Sequence, residues 1–189
     1  MREGEPAGHG DMMRRKVAVL LYPGCIYFEV QAAVEALADE YEVLHFTPDG
    51  ADQIDASGRL LRAEGSYADL ERSTVSCVLV PGGDPGSIVP QQAAAAALRH
   101  AADQGALLAG ICAGNLVLAS TGLLDGVRAT HNYTLEYASA EKVAAASPYW
   151  QGILFERADV VEDRNRITAQ HWSSGKFAEA VARNLGIVK

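Results

Sequence analysis

Gly110-Ile111-Cys112-Ala113-Gly114 is the stretch on which the reading of this chain turns. A short apolar run, residues 106–109, leads into it, and a helix-like run, residues 115–120, follows. A G-x-nucleophile-x-G sequence between a strand and a helix describes a nucleophile elbow, a sharp turn that displays its central side chain above the sheet edge. Here that side chain is a thiol. At the start of a helix, oriented N–H groups and the positive end of the dipole favour its thiolate. Cys112 is therefore the candidate nucleophile, and the rest of the chain must supply its partners.

Outward from the elbow, residues 16–22 and 75–80 are continuous apolar runs, as expected of strands buried on both faces. The first ends in Pro23-Gly24 and the second in Pro81-Gly82-Gly83-Asp84-Pro85-Gly86. Residues 26–37 have helical spacing, with Ile26, Val30, Val34 and Leu37 on one stripe. Glu29 flanks that stripe beside Ala32, Ala33 and Ala36, whose small size lets another backbone come close. Further expectations are a strand over 42–47, a small strand pair within 54–63 turning at Ser57-Gly58, and a capped turn over 66–70. A helix over 91–103 precedes the elbow strand. After the elbow come a strand over 127–130 with His131 just beyond it, and a helix from a Thr134 cap to about 146. Strands at 158–162 and 166–169 precede a last helix capped by Ser173 or Ser174. This alternation predicts an α/β fold: a single-domain three-layer sandwich, mainly parallel sheet with helices on both faces, flavodoxin-like. Residues 1–15 are expected to be a flexible N-terminal tail, and 16–189 the domain.

Composition narrows the function classes. The 189 residues are 49% hydrophobic and 21% charged, which suits one globular domain rather than disorder. A formal charge of −8 argues against non-specific nucleic-acid binding. No apolar stretch approaches the roughly 20 residues of a membrane span, and residues 1–16 lack an apolar signal core, so a cytoplasmic protein is expected. Three cysteines and five histidines show neither a disulfide framework nor zinc spacing. No metal and no cofactor are expected, and a single reactive thiol is the favoured reading of the odd cysteine count.

In an open α/β sheet, ligands bind beyond the carboxyl ends of the strands. Glu29, the Gly82-Gly83 turn and Cys112 lie on loops leaving that edge, and His131 joins from a fourth element. Cys112 would attack an electrophilic carbon. Glu29, its proton affinity raised by burial, would hydrogen-bond the sulfur or shuttle a proton. The N–H groups of Gly83 and Ala113 are candidate oxyanion donors. His131 is a general base, an orienter or a structural histidine. Cys25, four residues before Glu29, is a resolving thiol for oxidised Cys112 or a small packing residue. Tyr27, His171 and Trp172 are candidate pocket walls, whereas Cys77 belongs to the core.

Together, V-A-V-L-L-Y-P-G (17–24) with F-E-V (28–30), V-L-V-P-G-G-D-P-G (78–86), and A-G-I-C-A-G (109–114) with G-L-L-D-G-V-R-A-T-H (122–131) resemble the ThiJ/PfpI superfamily. That is the family of the Parkinson-disease-associated protein deglycase, with a fold related to class I glutamine amidotransferases. The resemblance spans roughly residues 16–185. It implies that Cys112 is the family's oxidisable cysteine, Glu29 the protonated glutamate beside it, and His131 the histidine of glyoxalase-type members. Gly83 and Ala113 match the oxyanion positions. The protease-like members carry histidine after the nucleophile, where this chain has Ala113. Many deglycase-like members carry a Ser-Arg-Gly-Pro type segment where this chain has Ala169-Gln170-His171-Trp172. Isocyanide hydratase members use aspartate near the position of Glu29. The expectation is a cofactor-independent cysteine enzyme on small reactive carbonyls, of glyoxalase or deglycase type, acting as a homodimer on a small-molecule substrate. The alternatives are a redox-sensing or chaperone-like protein with an oxidisable Cys112, and an amidase, hydratase or protease-like hydrolase.

Overall fold

The computed structural model describes residues 13–187. Its frame is a seven-stranded sheet built from β1 (Arg15–Leu20), β2 (Tyr41–Thr47), β5 (Gly65–Ser66), β6 (Cys77–Val80), β7 (Leu107–Ile111), β10 (Val160–Asp163) and β11 (Arg166–Ala169). The strand order is β10-β11-β7-β6-β1-β2-β5, parallel throughout except for the β10–β11 hairpin at one edge. All residues of β6 and β7 are buried, which explains their unbroken apolar sequences. The small antiparallel pair β3 (Gln53–Ile54) and β4 (Leu60–Leu61) lies where the Ser57-Gly58 turn predicts it.

Helix α1 (Phe28–Leu37) connects β1 to β2, and α3 (Ala95–Asp103) connects β6 to β7. These crossovers step through the sheet in opposite directions, so right-handed connections put the two helices on opposite faces. Helix α6 (Ser174–Asn184) packs on α1, and the short α2 (Tyr67–Leu70) packs on α3. A capping box holds α2: the Ser66 side chain accepts from the Asp69 N–H, while Asp69 accepts from the Ser66 N–H. The order reverses between β1 and β6, and that switch point is where α/β sheets open a crevice. Helix α4 (Gly114–Ser120) leaves the carboxyl end of β7 beside it.

Four boundaries differ from the sequence reading. Strand β1 starts at Arg15, and Arg14 donates to the carbonyls of Ala38 and Asp39. The expected tail is thus tied down at its last two residues, while 1–12 lie outside the described residues. Helix α3 begins at Ala95 rather than residue 91, because Gln92, just ahead of the alanines, takes a left-handed φ of 55°. The helix expected from Thr134 is only α5 (Ala140–Ala146), capped by Ser139. Residues 134–138 form a tight turn, with the Tyr137 and Ala138 N–H groups both donating to the Thr134 carbonyl. The strand expected over 127–130 shrinks to β8 (Arg128–Ala129). It pairs with β9 (Leu154–Phe155) outside the main sheet.

Leu108 sits at the centre of the core, fully buried and paired with both Val78 and Arg166. Truncation there leaves a cavity the two flanking strands cannot close. Leu108→Ala is expected to lower the unfolding free energy by about 2–5 kcal/mol, read as a reduced urea midpoint at unchanged m-value.

Candidate active site

Three consecutive strands of the sheet, β7, β6 and β1, deliver the site from their carboxyl ends. Cys112 follows β7 with φ at 56°, a left-handed backbone that a non-glycine residue adopts only where its surroundings impose it. What imposes it is close packing behind the turn. A Cβ on Gly114 would lie 2.0 Å from the Val80 carbonyl oxygen, and one on Gly110 would lie 2.9 Å from the Asn115 side-chain oxygen. The Cys112 N–H donates to the Ala169 carbonyl at 2.9 Å, and the Asn115 amide donates to the same oxygen at 2.9 Å. The elbow is therefore anchored to β11 as well as to its own strand.

Glu29 comes from the first turn of α1 and is only 4% exposed. Its Oε2 accepts from the Gly82 N–H at 2.8 Å. A Cβ on Gly82 would meet that Oε2 at 2.3 Å, the Cys112 Cβ at 2.6 Å and the Cys112 Sγ at 2.9 Å. The acid and the thiol thus close on the backbone of one glycine and hydrogen-bond each other across it. Burial raises the Glu29 pKa to about 7, while the Gly82 N–H and the Cys112 thiol pull it the other way. Burial, then the Glu29 charge, push the Cys112 thiol up to about 12, opposed by the Ala113 N–H and the Asn132 amide. The Asn132 Nδ2 stands 3.7 Å from the sulfur. Two adjoining acids that cannot both ionise in a buried place hold one proton between them once the first has left.

The loop after β1 is lashed to the loop after β6. The Tyr22 hydroxyl donates to the Pro81 carbonyl at 2.8 Å, and the Ile26 N–H donates to the Gly82 carbonyl at 2.8 Å. Cys25 pairs with Gly83 in an isolated bridge, and its Cα lies 2.8 Å from where a Cβ on residue 83 would stand. Its thiol is fully buried, and all three cysteines are free. A cavity of about 280 Å³ opens over the sulfur, lined by Gly83, Ala113, Asn132, Tyr133, Tyr137 and Lys142 among others.

The other candidates lie elsewhere. His131 is 8% exposed and stacks on Trp150, with ring centroids 4.1 Å apart. Its Nδ1 accepts from the Tyr133 N–H at 3.1 Å, and burial lowers its pKa to about 4. It is a neutral ring that fixes the segment bearing Asn132 and Tyr133, and it does not line the Cys112 cavity. Tyr27 hydrogen-bonds the Nε2 of His45 at 2.9 Å and lines a separate cavity with Arg59 and Glu64. Trp172 donates to Asp159 at 2.9 Å and packs on Tyr137 at 5.1 Å, so it backs a lining residue rather than lining the cavity. His171 lies edge-on to Trp172 and is exposed. Among the described residues, no three His, Cys, Asp or Glu side chains gather as metal ligands, and no helix is long and apolar enough to cross a membrane.

Three contributors escaped the sequence reading, and the Gly82-Gly83 turn that it named does more than it assigned. Gly82, rather than Gly83, receives the acid and the thiol. Asn132 and Tyr133 directly follow His131, so the triplet itself was the available signal. Gln170 donates to the Thr130 hydroxyl at 2.9 Å and the His131 carbonyl at 3.0 Å, clamping that segment to β11 with nothing in the sequence to announce it.

The raised Glu29 pKa has a thermodynamic consequence. A carboxyl whose folded value lies above its unfolded value stabilises the fold fully below about pH 4.5, and that contribution is lost as pH rises through about 7. Glu29→Gln, which stays neutral, is expected to gain about 3 kcal/mol relative to the parent between pH 4 and pH 8. Denaturant titrations of both proteins at the two pH values measure it.

The profile of the DJ-1/PfpI family matches residues 15–184. The fold is similar to a DJ-1 superfamily protein of Agrobacterium tumefaciens at 23% identity and a TM-score of 0.74, covering 93% of this chain and 92% of that one. A DJ-1 superfamily protein of Salmonella typhimurium is 25% identical with a TM-score of 0.74, each chain covered over 91%. Oxidised DJ-1 of Toxoplasma gondii is 23% identical with a TM-score of 0.74, covering 92% of this chain and 91% of that one. No curated protein sequence matches the chain. With a family profile spanning nearly the whole sheet, and the strand order and elbow described above, this chain belongs to the DJ-1/PfpI family.

Proposed function

We propose that the protein is a cofactor-independent cysteine enzyme that converts small α-oxoaldehydes to hydroxy acids. The observation that carries this reading is the Glu29–Cys112 pair closed over Gly82 beneath the cavity. Between the two deprotonations the pair holds one proton, and moving it along the shared hydrogen bond gives a thiolate beside a carboxylic acid. The sulfur then adds to the aldehyde carbon, and the carbonyl electrons move to oxygen. The N–H groups of Gly83 and Ala113 receive that oxygen while Glu29 supplies its proton, giving a hemithioacetal. Glu29, now ionised, takes the hydrogen from the former aldehyde carbon as a proton and returns it to the neighbouring carbon, while the hydroxyl proton passes from the oxygen of the first carbon to that of the second. The first carbon is oxidised and the second reduced, so no external oxidant or reductant is needed. The product is a 2-hydroxyacyl thioester of Cys112. Water cleaves its C–S bond, releasing the hydroxy acid and restoring the thiol.

In this scheme Glu29 performs both proton transfers, because it touches the sulfur and His131 is held neutral outside the cavity. The Asn132 amide steadies the sulfur's charge from the other side. His131 acts through Asn132 and Tyr133 by fixing their loop.

Purified protein incubated with methylglyoxal is expected to form lactate, and Cys112→Ser to lower kcat/KM by about a thousandfold or more. The active form requires the first deprotonation of the pair. Below about pH 7, kcat/KM is therefore expected to rise about tenfold per pH unit and then level off, with Glu29→Gln abolishing that break. Lactate formation that survives in Cys112→Ser overturns the reading.

A further inference from the structure

The Cys112 cavity does not end at the sulfur. A second chamber of about 310 Å³ adjoins it, and Gly83, Tyr133 and Lys142 line both spaces. Tyr133 is their common wall. Burial raises the proton affinity of its phenol, and so do the charges of Cys112 on one side and Asp84 on the other. The chamber's walls are apolar: Pro85 and Val89 follow β6, Leu116 comes from the first turn of α4, and Ala146 and Tyr149 from the end of α5 and the 3₁₀ turn after it. Val89, Leu116 and Ala146 are buried, so these walls are fixed by the core. The charged side chains lining the chamber are Asp84 and Lys142, opposite in sign, which leaves no net charge to select an ion.

Size settles what such a space is suited to. An apolar cavity of about 150 Å³ takes up benzene. A three-carbon oxoaldehyde bonded to Cys112 occupies only the first cavity and leaves the apolar walls beyond Tyr133 wetted. A phenyl ring or short branched alkyl chain reaching past Tyr133 would cover them.

We propose that this chamber is the subsite for a neutral aryl or alkyl substituent of the carbonyl compound attacked by Cys112. The preferred substrates are then α-oxoaldehydes of the phenylglyoxal kind rather than methylglyoxal. The proposal rests on the reading of Cys112 as nucleophile given above and names its substrate class.

A test that does not need turnover is alkylation of Cys112 by two reagents with the same leaving group, bromoacetone and 2-bromoacetophenone. Sites are assigned by mass spectrometry and rates normalised to those of glutathione. The aryl reagent is expected to be favoured about tenfold or more beyond its preference with glutathione, the scale of burying a phenyl group on apolar walls. Ala146→Phe and Val89→Phe fill the chamber from two sides, and each is expected to bring the ratio back toward that of glutathione. A ratio equal to glutathione's in the parent protein overturns the proposal, as does a raised ratio untouched by both variants or a thiol inert to both reagents. A raised ratio abolished by both variants in a protein that forms no hydroxy acid upholds the chamber while refuting the oxoaldehyde reading.

Discussion

A carboxyl and a thiol are pressed against the backbone of Gly82, and most of what is distinctive here follows from that crowding. Burial makes the ionisation of each group harder, and the Glu29 charge adds to the thiol's difficulty, whereas the thiol's hydrogen bond eases that of Glu29. Two weak acids in water titrate independently; here the ionisation of the thiol depends on the charge of its neighbour. The environment thus exchanges a freely ionising thiol for one whose nucleophilic form is tied to the state of a neighbour. Helix α4 contributes oriented N–H groups at the elbow, but burial outweighs them for the isolated sulfur. The helix-terminus argument for a low-pKa cysteine, sound for exposed thiols, therefore fails here.

The surrounding fold maintains that crowding. Glu29 is held by α1 and the elbow by β7, while β6 lies between β7 and β1 with Gly82 just beyond its end. Tyr22 and Ile26 tie the first loop to the second, and Ala169 ties the elbow to the neighbouring strand. The strain in the Cys112 backbone is tolerated because Gly110 and Gly114 leave the space behind the turn to other atoms.

Much of this was legible in the sequence, for reasons that differ by residue. Strands buried on both faces announce themselves as unbroken apolar runs, so β1, β6 and β7 were readable to within two residues. The elbow was readable because its two glycines are steric necessities. Glu29 was readable because it lies on the edge of an apolar stripe among alanines. Segments whose form is decided by distant partners were not. The stretch after β8 has helix-forming residues, yet Tyr137 and Trp172 pack together across it and the helix waits until Ser139. His131 was read as a general base, an orienter or a structural histidine, and its stacking on Trp150, nineteen positions later in the chain, is a contact that no local pattern encodes. Tyr27 was misplaced for the same reason, since its hydroxyl is claimed by His45 on β2.

The hydrogen bond from Gly82 to Glu29 joins residues 53 positions apart, and the elbow lies on yet another strand. No fragment of the chain holding one or two of these strands can reproduce the sulfur's surroundings. The muted acidity of Cys112 is thus a property of the completed topology, absent from the nascent chain and from any opened state. In an unfolded ensemble the same thiol regains the ionisation of an ordinary cysteine. The coupling of this sulfur to its carboxyl is therefore present only while the whole sheet is assembled.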